Sequence, residues 1–249
     1  MPAFRSAISC ALAALFFAGA SIVPSSAADQ DEHNPCTADA MIVFDASGSM
    51  AGNVGQGIGT TIPRIEEVRG ALAMVLPAAT RSRRVGLISY GPGPYQQCNV
   101  KLNLQPTANA ADLIMKEVNA IDPAGKTPLT AAVRNAAEVL DYRHKPGVVV
   151  VVTDGEETCG GSPCDLGKEL HATAANLTVH IVGYRLKGIS WTGEQSVLDA
   201  KCLAEQNGGL YIGAESKQEL IEALEKTLGC PMLSMRDLSR PEPTLHLHQ

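Results

Sequence analysis

Three things are scarce in this chain of 249 residues: runs of positive charge, long apolar runs after the first, and cysteine spacings suited to metal. The 20 Lys and Arg stand against 26 Asp and Glu, for a net charge of −6, and the basic residues nowhere form a run. A nucleic-acid partner is therefore not expected. Beyond residue 23 no apolar stretch approaches the roughly 20 residues a spanning helix needs, so stable membrane insertion of the mature chain is not expected. No C-x2-C pair occurs and no histidine stands at ligand spacing from a cysteine, which sets a zinc site aside. No internal repeat is evident, which excludes a solenoid. What remains, 45% apolar and 18% charged residues, is the composition of a globular protein.

Residues 1–28 read as a secretory signal peptide. Arg5 is the only charge before Asp29, residues 7–23 are apolar or small, and Pro24-Ser25-Ser26-Ala27-Ala28 supplies the small residues that a signal peptidase recognises. Cleavage is expected after Ala27 or Ala28, and the mature chain is expected to be exported, periplasmic or secreted. Of seven cysteines Cys10 leaves with this segment. The other six, Cys36, Cys98, Cys159, Cys164, Cys202 and Cys230, suit disulfides in an oxidising compartment. Six cysteines allow 15 connectivities. The expected pairs are Cys159–Cys164, Cys202–Cys230 across the last helix, and Cys36–Cys98.

From residue 38 onward, short apolar runs alternate with helical periodicities. Residues 40–44 and the five valines 148–152 are continuously apolar, as strands covered on both faces are. Residues 85–90, 178–184 and 210–212 read as further strands. Residues 100–104 alternate and read as a half-exposed edge strand. Helices are expected at residues 64–79, 112–121, 129–140, 195–206 and from Ser216 to residue 228, where Gly229 stops the last one. Another opens at Ser162-Pro163-Cys164-Asp165 with a capping box and Pro at the first helical position. This order specifies an α/β fold: a doubly wound, mostly parallel central sheet with one antiparallel edge strand and helices on both faces. Residues 36–230 are expected to form the domain. Residues 231–249 read as a polar, disordered tail, and the Gly-rich residues 51–61 as a flexible loop.

In such a sheet, ligands bind beyond the carboxyl ends of the strands. Asp45-Ala46-Ser47-Gly48-Ser49 follows the first buried strand, and spacing of two aims its three side-chain oxygens to one side of an extended turn. Gly125-Lys126-Thr127-Pro128 precedes a helix, and Thr153-Asp154-Gly155-Glu156-Glu157 follows the valine strand. Asp45, Ser47, Ser49, Thr127 and Asp154 are the expected metal-binding residues. These oxygen donors suit magnesium, with manganese or calcium as alternatives. With hydroxyls as direct ligands and carboxylates holding bound waters, one vertex stays open for the Asp or Glu carboxylate of a protein partner. Taken alone, Thr127-Pro128 is also a plain helix N-cap. Glu156 and Glu157 are expected to be solvated rim charges.

Asp45-x-Ser47-x-Ser49 after a buried strand, Thr127 before a helix and Asp154 after a later strand resemble the metal-ion-dependent adhesion site of von Willebrand factor type A domains, secreted bacterial type. The resemblance spans roughly residues 38–229. It implies that family's fold, a bound divalent cation, and a non-enzymatic exported module that captures an acidic group on a partner. The long Gly-rich segment beside the site departs from the pattern. Two readings stay open beside this one. Residues 45–49 resemble the Asp-x-Asp-Gly-Thr loop of aspartate-nucleophile phosphohydrolases, with Ser47 in place of the second Asp and Ser49 in place of the Thr, which would make Asp45 a nucleophile; Ser47 has no acid proton to give the leaving group. An assembly or scaffold subunit of an envelope complex would use the same site. Gly125-Lys126-Thr127 ends like a phosphate-binding loop, but that motif needs Gly where Ala120 stands and follows a strand.

Overall fold

The five valines lie inside a strand at the middle of a sheet. In chain order the strands are β1 (Asp39–Asp45), β2 (Asn53–Val54), β3 (Ile62–Pro63), β4 (Val85–Tyr90), β5 (Val100–Thr107), β6 (Pro146–Thr153), β7 (Asn176–Tyr184) and β8 (Tyr211–Ala214). The helices are α1 (Arg64–Ser82), α2 (Ala111–Asn119), α3 (Leu129–Val139), α4 (Pro163–Thr173), α5 (Gly193–Gln206) and α6 (Lys217–Leu228), with a 3-10 turn at Gly48–Ala51. This computed structural model describes residues 37–54, 62–186 and 193–229. The chain divides into two units, Met1–Glu32 and His33–Gln249, and every described residue belongs to the second. The expected leader, the tail after residue 230, and Cys36 and Cys230 lie outside the described residues.

Six strands form one sheet in the order β5-β4-β1-β6-β7-β8. All neighbours are parallel except β5, which runs antiparallel to β4 at the edge. Ala40, Ile42 and Phe44 of β1 and Val148, Val150 and Val152 of β6 pack toward α1, α2 and α6. Met41, Val43, Val149 and Val151 pack toward α3, α4 and α5. Both faces are covered, so both side-chain sets must be apolar; hence the unbroken runs in the sequence. Each fully buried valine contributes about 1.5–3 kcal/mol relative to exposure, so the apolar runs of β1 and β6 anchor the strand ends that carry Asp45 and Thr153.

Local signals held unevenly. Ser216 accepts the Glu219 N–H at the head of α6, as its sequence indicates. At α4 the same signature fails: Ser162 caps no backbone N–H and its hydroxyl instead donates to Asp165 Oδ2 at 2.8 Å. Of the expected Gly-rich loop, residues 55–61 lie outside the described residues; Asn53 and Val54, before them, form β2 and pair antiparallel with β3. The disulfides differ most. Cys98 bonds Cys159 and Cys164 bonds Cys202, so none of the three expected pairs survives. Cys159 and Cys164 are close in sequence but belong to different structures. Cys164 sits in the first turn of α4, which packs along α5 and its Cys202. Cys159 stays in the loop after β6, against the loop before β5 that carries Cys98.

Candidate functional site

The sheet reverses its winding around β1: the chain leaves β1 to form β4 on one side and later crosses to form β6 on the other. Ligand crevices open at such a point. Asp45 is the last residue of β1, Tyr90 of β4 and Thr153 of β6, so three strand ends meet there.

Asp45 has no exposed surface. Its Oδ1 accepts the Ser47 N–H at 2.8 Å and its Oδ2 accepts the Thr153 hydroxyl at 2.7 Å. Tyr90 donates its phenol to Thr153 at 2.9 Å, which completes a buried relay onto the carboxylate. Ser49 donates to Asp154 Oδ1 at 2.7 Å. With that proton committed, the 2.9 Å contact between Ser47 Oγ and Ser49 Oγ has Ser47 as donor. Asp154, also fully buried, receives Arg64 Nη1 on its other oxygen at 2.9 Å. A continuous chain of bonds therefore joins Asp45, Ser47, Ser49 and Asp154.

Thr127 is brought to the same place by its main chain. Its N–H donates to Thr158 Oγ1 at 2.8 Å and its carbonyl accepts the Thr158 N–H at 3.0 Å. It caps no helix: α3 begins at Leu129 after Pro128, and the Thr130 N–H goes to Glu157 Oε2 at 2.8 Å. The plain N-cap reading of Thr127 is thus overturned, and so is the reading of Glu157 as a solvated charge. The Glu157 carboxylate takes over the capping by accepting N–H groups at the head of α3 and, at 2.7 Å, at Cys159. A Cβ added at Gly155 would stand 3.5 Å from Ser49 Oγ and 3.6 Å from Thr127 Oγ1, so both hydroxyls border one small space.

The loops are stitched together beneath that space. Gly48 donates to the Gly125 carbonyl at 2.9 Å, Gly125 to the Gly91 carbonyl at 2.8 Å, and Ala46 to the Tyr90 carbonyl at 2.8 Å. Gly91 has φ +74°, and a Cβ there would fall 2.6 Å from the Lys126 carbonyl oxygen and 2.8 Å from Ser47 Cα. Only glycine fits such a conformation at that range. The Cys98–Cys159 bond ties the 91–99 loop to the loop that carries Asp154.

Burial raises the Asp45 pKa, against hydrogen bonds from Ser47, Thr153 and Tyr90 that lower it. Asp154 is pushed up to about 6 by burial and then by the charge of Asp45, with Ser49 and Arg64 acting the other way. Tyr90 is raised well above its ordinary value by burial and by Asp45. The Arg64 guanidinium thus pairs with Asp154 alone, and among the described residues no cation pairs with Asp45. No cluster of three or more His, Cys, Asp or Glu occurs among the described residues; three of the five grouped side chains here are hydroxyls. Sequence reasoning missed Arg64 and the roles of Tyr90, Thr153 and Thr158. Thr153 stood in plain view at the end of the valine strand, whereas the others left no local signal.

A family model described as the von Willebrand factor type A domain matches residues 40–157. The uncharacterised protein YwmC of Bacillus subtilis is 30% identical over 205 residues, which cover 79% of this chain and 86% of YwmC. The chain belongs to the von Willebrand factor type A domain family. Among solved structures, an aerotolerance-related membrane protein from Bacteroides fragilis matches with a TM-score of 0.55 at 18% identity, over 77% of this chain and 98% of that one. The minor pilin PilB of Streptococcus sanguinis matches with a TM-score of 0.56 at 12% identity, over 82% of this chain and 64% of PilB. Both likenesses are of fold.

Proposed function

We propose that the rim formed by Asp45, Ser47, Ser49, Thr127 and Asp154 holds a divalent cation, magnesium by its donor chemistry, and that the protein is a non-enzymatic exported module that captures an acidic group of a partner protein. The carrying observation is electrostatic. Two fully buried carboxylates lie beneath a chain of hydroxyls, and among the described residues a single guanidinium pairs with one of them, Asp154; buried charge without a counter-charge costs several kcal/mol. The spacing suits the ion: Ser47 Oγ and Ser49 Oγ are 2.9 Å apart, the edge of an octahedron whose ligands lie about 2.1 Å from its centre. Such an ion, when bound, supplies a Lewis-acid vertex that a carboxylate can occupy.

The chain's own residues do the rest. The Ser47 N–H and Thr153 hydroxyl each engage one oxygen of the Asp45 carboxylate and so fix its orientation. Asp154 orients Ser49. The phosphohydrolase reading needs an Asp45 oxygen free to attack; both are engaged, and the residue has no exposed surface. Two disulfides suit an oxidising compartment outside the cytoplasm. Among the described residues no helix is long and apolar enough to cross a membrane. The name of PilB, a minor pilin, fits a role in contacts at the cell exterior.

The test is thermal unfolding of the mature chain in chelator and in millimolar magnesium. A ligand at about 100 times its Kd stabilises by about 2.7 kcal/mol, which raises Tm by about 5–10 °C in a domain near 200 residues. Ser49→Ala and Asp45→Asn should remove the rise. An unchanged Tm in the unaltered protein would refute the cation site.

A further inference from the structure

The five-residue set has a sixth member in the fold. Arg64 is the first residue of α1, immediately after β3. From there its Nη1 donates to Asp154 Oδ2 at 2.9 Å and to the Ser49 carbonyl at 3.2 Å, and so links two loops of the rim. The approach is built in: the Arg64 N–H donates to the Gly52 carbonyl at 2.9 Å, and a Cβ at Gly52 would stand 3.4 Å from Nη1. Yet the guanidinium is incompletely held. Its Nε is buried without a hydrogen-bond partner, and its side chain keeps 23% exposure, a route to water.

We propose that Arg64 is a resident counter-ion that competes with the divalent cation for the rim and thereby sets its affinity. The inference rests on the cation-site reading above. The guanidinium neutralises Asp154 when no metal is bound. A cation among Ser47, Ser49 and Thr127 would place a second positive charge beside the first, and like charges repel strongly where water is excluded. Loading the site therefore requires Arg64 to loosen its hold on Asp154, and the loss of that ion pair is subtracted from the cation's binding energy. The half-satisfied guanidinium suits this exchange, since fewer bonds must break for it to swing out. The unloaded rim is kept folded by the same residue that weakens the metal.

The experiment compares the unaltered mature chain with Arg64→Gln and Arg64→Lys, by magnesium titration calorimetry and by Tm in chelator and in magnesium at fixed pH and salt. Arg64→Gln should melt lower in chelator, bind magnesium at least about tenfold more tightly, the factor that 1.4 kcal/mol carries, and gain more Tm on loading. Arg64→Lys keeps the charge and should bind within about threefold of the unaltered chain. A role in packing alone would instead weaken magnesium binding in both variants. Magnesium binding by the unaltered chain with equal or weaker binding by Arg64→Gln overturns the inference and leaves the cation site standing. Failure of folded unaltered chain and folded Arg64→Gln alike to bind overturns both. An Arg64→Gln chain that stays unfolded even in magnesium also overturns it, because removing a competitor must leave the loaded state intact.

Discussion

Replacing Thr153 with Val isolates the buried relay. Thr153 is 2% exposed, and its hydroxyl accepts from Tyr90 at 2.9 Å and from the Gly155 N–H at 3.2 Å while donating to Asp45 at 2.7 Å. Valine nearly matches the volume, so the cost is polar. Loss of a hydrogen bond to a charged group contributes about 1.5–3 kcal/mol, and a wholly buried Tyr90 hydroxyl left without an acceptor adds about 1–3 kcal/mol. Partial relaxation makes a total near 3 kcal/mol the expectation, a fall in Tm of about 6–12 °C for a domain of this size. Tyr90→Phe leaves Thr153 its other partners and should cost about 1 kcal/mol. In the double variant the orphaned phenol is gone, so the combined loss should fall short of the sum by about 1 kcal/mol or more. Urea unfolding in chelator, disulfides intact, measures all three. In magnesium titrations Thr153→Val should weaken binding by about 10–100-fold, since Asp45 loses the group that orients it. A loss below about 1 kcal/mol, or strict additivity with Tyr90→Phe, would show that the relay does not hold Asp45.

Gly91→Ala should destabilise by more than about 2 kcal/mol and abolish the magnesium-dependent rise in Tm, because a methyl group at φ +74° would meet the Lys126 carbonyl and Ser47 backbone; near-native stability with intact binding would contradict the packing of these loops. His180 is held down to about 4, chiefly by burial and then by Arg83, and its Nδ1 accepts the Leu210 N–H at 3.0 Å. The unfolded chain, with a histidine pKa near 6.5, binds more protons, so this residue contributes stability above about pH 6.5 that is lost as pH falls toward 4. In chelator, His180→Asn should flatten that part of the stability–pH curve; an unchanged slope between pH 4 and 6.5 would count against the assignment.

Much of the fold was legible because its signals are local. A strand covered on both faces has no polar positions to spare, so residues 40–44 and 148–152 announced themselves. The antiparallel edge showed as alternation in β5. Of the candidate site, the five grouped residues were legible because the sheet topology places strand ends together and their spacing is short. What failed was also local reasoning. Thr127-Pro128 looks like a cap, but Glu157, 27 residues away from Thr130, reaches the first turn of α3 instead. Cys159 and Cys164 are neighbours in sequence, yet each bonds a cysteine on another element.

Hydrophobic periodicity and turn chemistry are written into neighbouring residues, so the sequence by itself determined the sheet, its two helical layers and the loops at its rim. Partners far apart in the chain were decided only by the tertiary structure: Arg64 on Asp154 across 90 residues, Thr153 on Asp45 across 108, and the cysteine pairs. Such contacts depend on where helix packing and strand order bring two side chains. No short stretch of sequence encodes that distance.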